Sequence, residues 1–280
     1  MESNNNSNNS PIVKMIPVLV IFAGLLGLYY LYQYLFGPKM NNIYPLITAT
    51  QDANVPVDKP IKFQPTALAP LYEGGEFTIS TWIYIANWSL LSGQNKSIIT
   101  IGGTNAATSF DTIRIYLGAY TPKLYVKLST HDSNPSASAT GSSSNKLDFS
   151  TRTVLFTASG STNSALSDST DSDICNIPEL PMQRWVNISV AVNAKVVDVY
   201  VDGKLSRSCV LPSTFKVDSS GYEAILLGYG GFGGKISTTT MYDIALNPEM
   251  VYKNYMAGPQ PITSIGGWFS SFFEPIVSMS

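Results

Sequence analysis

Residues 185–212, WVNISVAVNAKVVDVYVDGKLSRSCVLP, set the strictest limit on what this chain can become. Val186, Ile188, Val190 and Val192 alternate with Asn187, Ser189 and Ala191, the two-residue period of a half-buried strand. Asn193, Ala194 and Lys195 interrupt the run as a short turn, after which Val197, Val199 and Val201 share one face. Asp202-Gly203 follows, and Leu205, Arg207 and Cys209 return on the other arm. Asp-Gly between alternating runs marks a two-residue type I′ turn, because both central residues of that turn need positive φ. Asp202 and Gly203 are therefore turn residues, and three consecutive antiparallel strands are expected here.

The same pattern extends through much of the chain. Phe77, Ile79, Thr81, Ile83 and Ile85 line one face of FTISTWIYI, and residues 97–101 are short and apolar. Residues 112–117 and 123–128 flank a turn at 118–122 and read as a hairpin, with further strand candidates at 154–158 and 224–227. Strands at this spacing, separated by polar turns, indicate a sandwich or barrel. Sixteen Tyr and twelve Phe agree with strands rather than helices. Residues 129–173 hold two Ser/Thr/Asn-rich stretches that read as long surface loops. A short helix is signalled at 247–256, where Asn247 caps, Pro248 takes the first position and Glu249 adds an acid.

The flanks differ from this middle. Residues 1–14 form an Asn/Ser-rich tail with too few apolar groups to fold. Residues 15–36 are an uncharged apolar run that would reach about 33 Å as a helix, against a hydrocarbon core of about 30 Å. The run predicts a transmembrane helix with Tyr29, Tyr30, Tyr32 and Tyr34 as an aromatic belt. The alternative, a cleaved signal peptide, lacks a small-residue cleavage site. Lys14 and Lys39 flank the run and leave its orientation undecided, while the short leading tail favours a translocated C-terminal domain. Residues 37–64, with Pro38, Pro45, Pro56 and Pro60, read as an extended spacer. Residues 65–258 are the β domain. Residues 259–280 are an aromatic tail in which Trp268, Phe269, Phe272 and Phe273 recur at helical spacing. That tail reads either as a segment docked on the domain's own sheet or as an interfacial or partner-binding peptide.

Only 13% of the residues are charged and the formal net charge is −2, so no basic surface is built for nucleic acid. The two cysteines, Cys175 and Cys209, read as one disulfide or as two buried thiols. Bonded, they would close a loop worth roughly 3–4 kcal/mol and imply an oxidising compartment or a dedicated oxidase. Three Asn-x-Ser sequons fall in the β domain, at Asn87, Asn95 and Asn187, the last inside a strand.

FTISTWIYI, RWVNISVAVNAKVVDVYVDGKL and ILLGYGGFGGKISTTTMYDIALNPEMVYKNYMAGP occur in this order. Together they resemble the laminin-G-like, concanavalin A-like sandwich domain over roughly residues 65–258, GFGGKIS followed by Tyr242 and Ala245-Leu246 being the most specific part. Cys175, Pro178, Trp185, Asp202-Gly203-Lys204 and Ser208-Cys209-Val210-Leu211-Pro212 look closest to a membrane-anchored form found among nucleocytoplasmic large DNA viruses. The resemblance implies an all-β fold, two antiparallel sheets in a jelly-roll sandwich, here preceded by one transmembrane helix. It further implies a virion minor capsid component, anchored in the virion membrane, with the β domain on the non-cytosolic or capsid-facing side and coat proteins as partners. Domains of this type mostly bind glycans or proteins through rim loops, sometimes with calcium, so a cell-surface lectin-like glycan-binding protein is the alternative reading.

Chemistry at the residue level favours a non-catalytic module. Glycoside hydrolysis needs two carboxylates about 5–9 Å apart, and the Glu-x-Asp-x-x-Glu run of the hydrolases with this fold is missing. His131, the only histidine, stands in a Ser/Thr loop, and no Cys-x-x-Cys or His cluster could hold zinc. No cofactor is expected, with calcium on Asp168, Asp171 and Asp173 of DSTDSD as the one candidate ion site. The glycines at 228, 230, 231, 233 and 234 are read as allowing close backbone approach at a sheet edge rather than as a ligand loop. Candidate ligand or partner contacts are Trp88, Tyr120, Tyr229 and Phe232 in the loops, and Trp268 and Phe272 in the tail.

Overall fold

The computed structural model describes residues 11–36, 43–55, 61–63, 71, 75–103, 110–131, 147–159, 175–218 and 221–259. It divides into two units, Met1–Asn41 and Asn42–Ser280. The first holds helix α1 (Pro11–Phe36). Among the described residues the second holds thirteen strands and two α-helices: β1 (Ile43–Ile47), β2 (Gln51–Asp52), β3 (Ile61–Phe63), β4 (Glu76–Ile85), β5 (Lys96–Gly103), β6 (Phe110–Leu117), β7 (Leu124–Leu128), β8 (Leu147–Asp148), α2 (Phe149–Thr157), β9 (Trp185–Asn193), β10 (Val196–Val201), β11 (Lys204–Val210), β12 (Tyr222–Leu226), β13 (Gly234–Tyr242) and α3 (Pro248–Met256).

The strands form two antiparallel sheets. One runs β1-β13-β4-β9-β10-β11 with β2 added to β13, and the other runs β3-β12-β5-β6-β7 with β8 added to β6. The opening hairpin follows its sequence: Asp202 and Gly203 take φ of 51° and 73°, as a type I′ turn requires, and Val201 pairs with Lys204 across it. Between the sheets lie Phe77, Ile79, Ile83 and Ile85 of β4 and Val186, Ile188, Val190 and Val192 of β9. Ile99 and Ile101 of β5 and Ile113, Ile115 and Leu117 of β6 face them, all essentially inaccessible to solvent. Burying each such side chain is worth about 1.5–3 kcal/mol, which makes this alternation the main source of the fold's stability.

Both sheets are also covered outside. On β4 and β9 the expected solvated face is buried: Ser80, Asn187 and Ser189 bond one another, Ser189 Oγ lying 2.9 Å from Ser80 Oγ and 3.1 Å from Asn187 Oδ1. The chain around α3 supplies the cover, with Trp82 stacked on Tyr255 at 5.7 Å and Thr78 Oγ1 bonded to the Ile244 carbonyl and the Leu246 amide. Asn247 caps α3 by accepting from the Met250 amide at 2.8 Å. On the other sheet, Leu155 and Phe156 of α2 pack on Tyr116 and Tyr125. Buried Asp111 binds Arg114 Nε at 2.5 Å and the Arg152 guanidinium, tying α2 to β6.

Three expectations change. Among the described residues no helix is long and apolar enough to cross a membrane, so the transmembrane helix over 15–36, the single-pass placement and the lipid partner are corrected. Residues 37–64 are not only a spacer: β1 and β2 pair with β13, and β3 pairs with β12. Their long-range partners leave no mark in local periodicity. Of residues 154–158, read as a strand, all but the capping Ala158 belong to α2, because the Arg152–Asp111 pair and the packing of Leu155 and Phe156 override a β-branched, aromatic composition.

Cys175 and Cys209 are joined in a disulfide across a Cα–Cα distance of 5.8 Å. Reducing it should lower the unfolding free energy by roughly 3–4 kcal/mol, read from urea melts with and without reductant. Asp111→Ala strands two buried guanidinium groups and should cost about 3–5 kcal/mol in the same assay, with a fully cooperative transition retained.

Candidate functional site

The rim where β4 ends and β13 begins gathers chain from three places. The Gly233 carbonyl accepts from the amides of Ala86 and Asn87 at 2.9 and 3.2 Å, and the Gly234 carbonyl accepts from the Ala53 amide at 2.9 Å. The Ala53 carbonyl in turn accepts from the Phe232 amide at 3.0 Å. Glycine is required for this approach: Gly231 stands at φ 54°, and a Cβ on it would collide with the Ala53 carbonyl, as one on Gly234 would with that of Tyr84. The glycine-rich run thus does what its sheet-edge reading proposed, and two of its glycines also floor a cleft.

That cleft has a volume of about 580 Å³ and is lined by Asp52, Asn54, Tyr84, Asn87, Ser89 and Lys235 above Gly233 and Gly234. Lys235 Nζ and Asp52 Oδ1 are 3.9 Å apart, with both side chains more than half exposed, a pair worth little by itself. Both groups are accordingly open to a ligand. Tyr84 is held at a tilt against Trp185, ring centroids 5.7 Å apart.

Trp88 stands between Asn87 and Ser89 and leads away from the cleft. Its Nε1 donates to the Ala119 carbonyl at 3.2 Å, and Lys96 Nζ sits 4.3 Å from its ring centroid. Lys96 also donates to the carbonyls of Leu91, Gln94 and Ala119 at 3.1–3.3 Å, fastening residues 88–94 to the β6–β7 turn. No carboxylate partners it in these bonds, and burial pushes its amine down to about 8. Tyr120 is exposed on that turn, its ring beside Gly93. Tyr229 stacks on Phe156 at 5.3 Å, and its hydroxyl lies 3.3 Å from Thr153 Oγ1. Leu91, Leu227 and Tyr229, none of them glycine, hold φ of 52°, 56° and 58°. Such residues cost on the order of 1 kcal/mol each and persist where the surroundings enforce them.

Of the residues singled out from sequence, Trp88, Tyr120 and Tyr229 come to this one rim. Phe232 does not serve as a contact: it is wholly buried in the core. Asp202 is occupied by its turn, its carboxylate accepting from the Asn187 amide at 3.0 Å and from Arg184 at 2.7 Å. Asp168, Asp171, Asp173, Trp268 and Phe272 lie outside the described residues. Among the described residues no three of His, Cys, Asp and Glu gather to hold a metal ion. Sequence reading missed Asp52, Asn54 and Lys235, because the β2–β13 pairing that joins them is non-local. The one available signal was the sequon at Asn87, which marks a surface loop.

Lys96 gives a pH signature. Its folded amine titrates near 8 and its ordinary value is 10.5, so between those values the unfolded chain binds the extra proton and stability rises with pH. Near pH 10 the gain is opposed by Tyr242 and Tyr200, whose hydroxyls burial holds above their ordinary value. Urea melts stepped from pH 8 to about 10 should show this rise in the native chain, and Lys96→Met should flatten it.

A family model described as the concanavalin A-like lectin/glucanases superfamily matches residues 102–252. No curated protein matches the sequence. Solved structures with a similar chain path include a Trypanosoma rangeli sialidase in complex with 2,3-difluoro-KDN, at 10% identity and a TM-score of 0.40, covering 68% of this chain and 24% of that one. They also include the binding domain of botulinum neurotoxin DC in complex with SialylT, at 13% identity and a TM-score of 0.42, covering 67% and 36%. The chain thus spans about a quarter of the sialidase and about a third of the toxin domain. The matching family model describes lectins and glucanases, so the expected virion minor capsid component, its capsid partners and its virion location are corrected. The residues behind that expectation are hairpin turns, a disulfide and a glycine-lined sheet edge, which serve the sandwich itself. With a match over more than half of its length, the chain belongs to the concanavalin A-like lectin/glucanases superfamily.

Proposed function

We propose that this protein is a non-catalytic, lectin-like module that binds uncharged glycans in the cleft between β2, β13 and the loop after β4. The observation that carries the reading is the cleft's donor set. Asp52 offers only acceptors and Lys235 only donors, while Asn54, Asn87 and Ser89 offer both. Adjacent sugar hydroxyls, each a donor and an acceptor, match such a mixed set, and the apolar face of a pyranose suits the Tyr84 ring. Asp52 and Lys235 balance in charge. Lys96, the nearby buried amine, spends its protons on loop carbonyls, which leaves little attraction for an acidic sugar. The family name, covering lectins and glucanases, agrees with a carbohydrate ligand. Against hydrolysis stands the lining itself, which contains one carboxylate where two are needed.

A glycan array followed by titration calorimetry tests this. Neutral oligosaccharides should bind in preference to sialylated or sulfated ones. Asn54→Ala and Lys235→Ala should each weaken binding about tenfold, about 1.4 kcal/mol, without moving the thermal midpoint, and no reducing ends should appear on long incubation. Failure to bind any neutral glycan, or binding by both variants as tight as that of the native chain, would sink the proposal.

A further inference from the structure

The β domain carries three Asn-x-Ser sequons, and their side chains meet very different surroundings. Asn95 is buried and donates its amide Nδ2 to the Leu155 carbonyl at 3.0 Å. Asn187 is buried in β9, its Nδ2 turned to Ser80 Oγ and the Thr81 carbonyl. Neither amide is reachable in the folded chain. Asn87 is exposed in the loop after β4, and its Nδ2 has no hydrogen-bond partner among the described residues. Its Oδ1 accepts from the hydroxyl of Ser89, the third sequon residue, at 3.1 Å. That contact folds the tripeptide so that the hydroxyl polarises the amide whose nitrogen must react. The Cys175–Cys209 disulfide is an independent sign of an oxidising compartment, where Asn-x-Ser acceptors are used.

We infer that Asn87 is an N-glycosylation site and that its glycan occupies the cleft it lines. The donor is an oligosaccharide whose anomeric carbon is bonded to a lipid diphosphate. Asn87 Nδ2 bonds to that carbon, and the carbon–oxygen bond to the diphosphate breaks, its electron pair leaving with the diphosphate. The amide nitrogen gives up one proton to the medium, and nothing is oxidised or reduced. Because Asn87 lies in the wall of the cleft, the first sugar starts inside the proposed binding site. The acceptor assignment stands without the glycan-binding function; the consequence for binding rests on it.

The test directs the full chain through the secretory route of a eukaryotic cell with a leader peptide. The product is treated with peptide N-glycosidase in heavy-oxygen water and mapped by mass spectrometry, with the disulfide scored in the same non-reduced digest. Heavy oxygen should appear at Asn87 and at neither Asn95 nor Asn187, and Ser89→Ala should abolish it. Disulfide-bonded protein with an unlabelled Asn87, or with label at Asn95 or Asn187, overturns the assignment. For the binding consequence, unglycosylated chain made in bacteria is compared with the glycosylated chain on the same neutral glycans. Loss of at least about tenfold on glycosylation is expected. Equal binding by both forms overturns occlusion, whereas no binding by the bare chain overturns the glycan-binding function and leaves the acceptor assignment to the peptide map.

Discussion

Four backbone hydrogen bonds at Ala53, Gly233 and Gly234 hold the functional end of this molecule together. Through them the tip of the β1–β2 segment, the end of β4 and the start of β13 meet at main-chain distance. Side chains at Gly231 or Gly234 would force the three apart, and Asp52, Asn54, Asn87 and Lys235 would no longer face a common space. The cleft is therefore a product of sheet closure: β13 runs between β1 and β4, and its first residues carry the rim with them. A site fixed this way starts with its polar groups ordered, so less conformational entropy is lost on binding.

What surrounds the rim follows the same economy. Lys96 and Trp88 fasten residues 88–94 to the β6–β7 turn using a cation, an indole and loop carbonyls, while Trp88 also packs against the core. Leu91 and Tyr229 are held left-handed close by, with Gly230 packed toward Leu91. A loop kept in a costly conformation by neighbours it did not choose is a loop whose shape is being used. The alternative, that these residues merely close the end of the sandwich, fits Phe232 and Leu227, which are wholly buried. It fits Tyr229 less well, because that ring stays partly exposed although Phe156 supports it from below.

How far this could be read from sequence depended on how local the determining interaction was. The strands of residues 185–210 emerge with their turns, since alternation and Asp202-Gly203 specify register within a few residues. The cap and first turn of α3 are equally local. β1 and β3 were invisible, because short segments beside prolines acquire their pairing from β13 and β12 far along the chain. α2 was misassigned, because the buried Asp111 that holds Arg152 comes from a different element. The candidate site divides the same way. Its aromatic residues stood out as unusual in loops, whereas Asp52, Asn54 and Lys235 are ordinary surface residues until the fold brings them together.

The polar network between the outer sheet face and α3 bears on how the rim keeps its shape. Ser80, Asn187 and Ser189 are shielded from solvent and satisfied by one another, so displacing the cover would expose no orphaned charge. Asp111 with Arg114 and Arg152 under α2 is different, because removal of Asp111 leaves two buried guanidinium groups unpaired. α2 also carries the supports of Tyr229, through Phe156 and Thr153, and its Leu155 carbonyl holds Asn95 at the start of β5. The ionic cluster thus fixes the helix on which the aromatic side of the rim rests, while backbone pairing alone fixes the polar side. The two halves of the candidate site are stabilised by separate interactions, and damage to one need not reach the other.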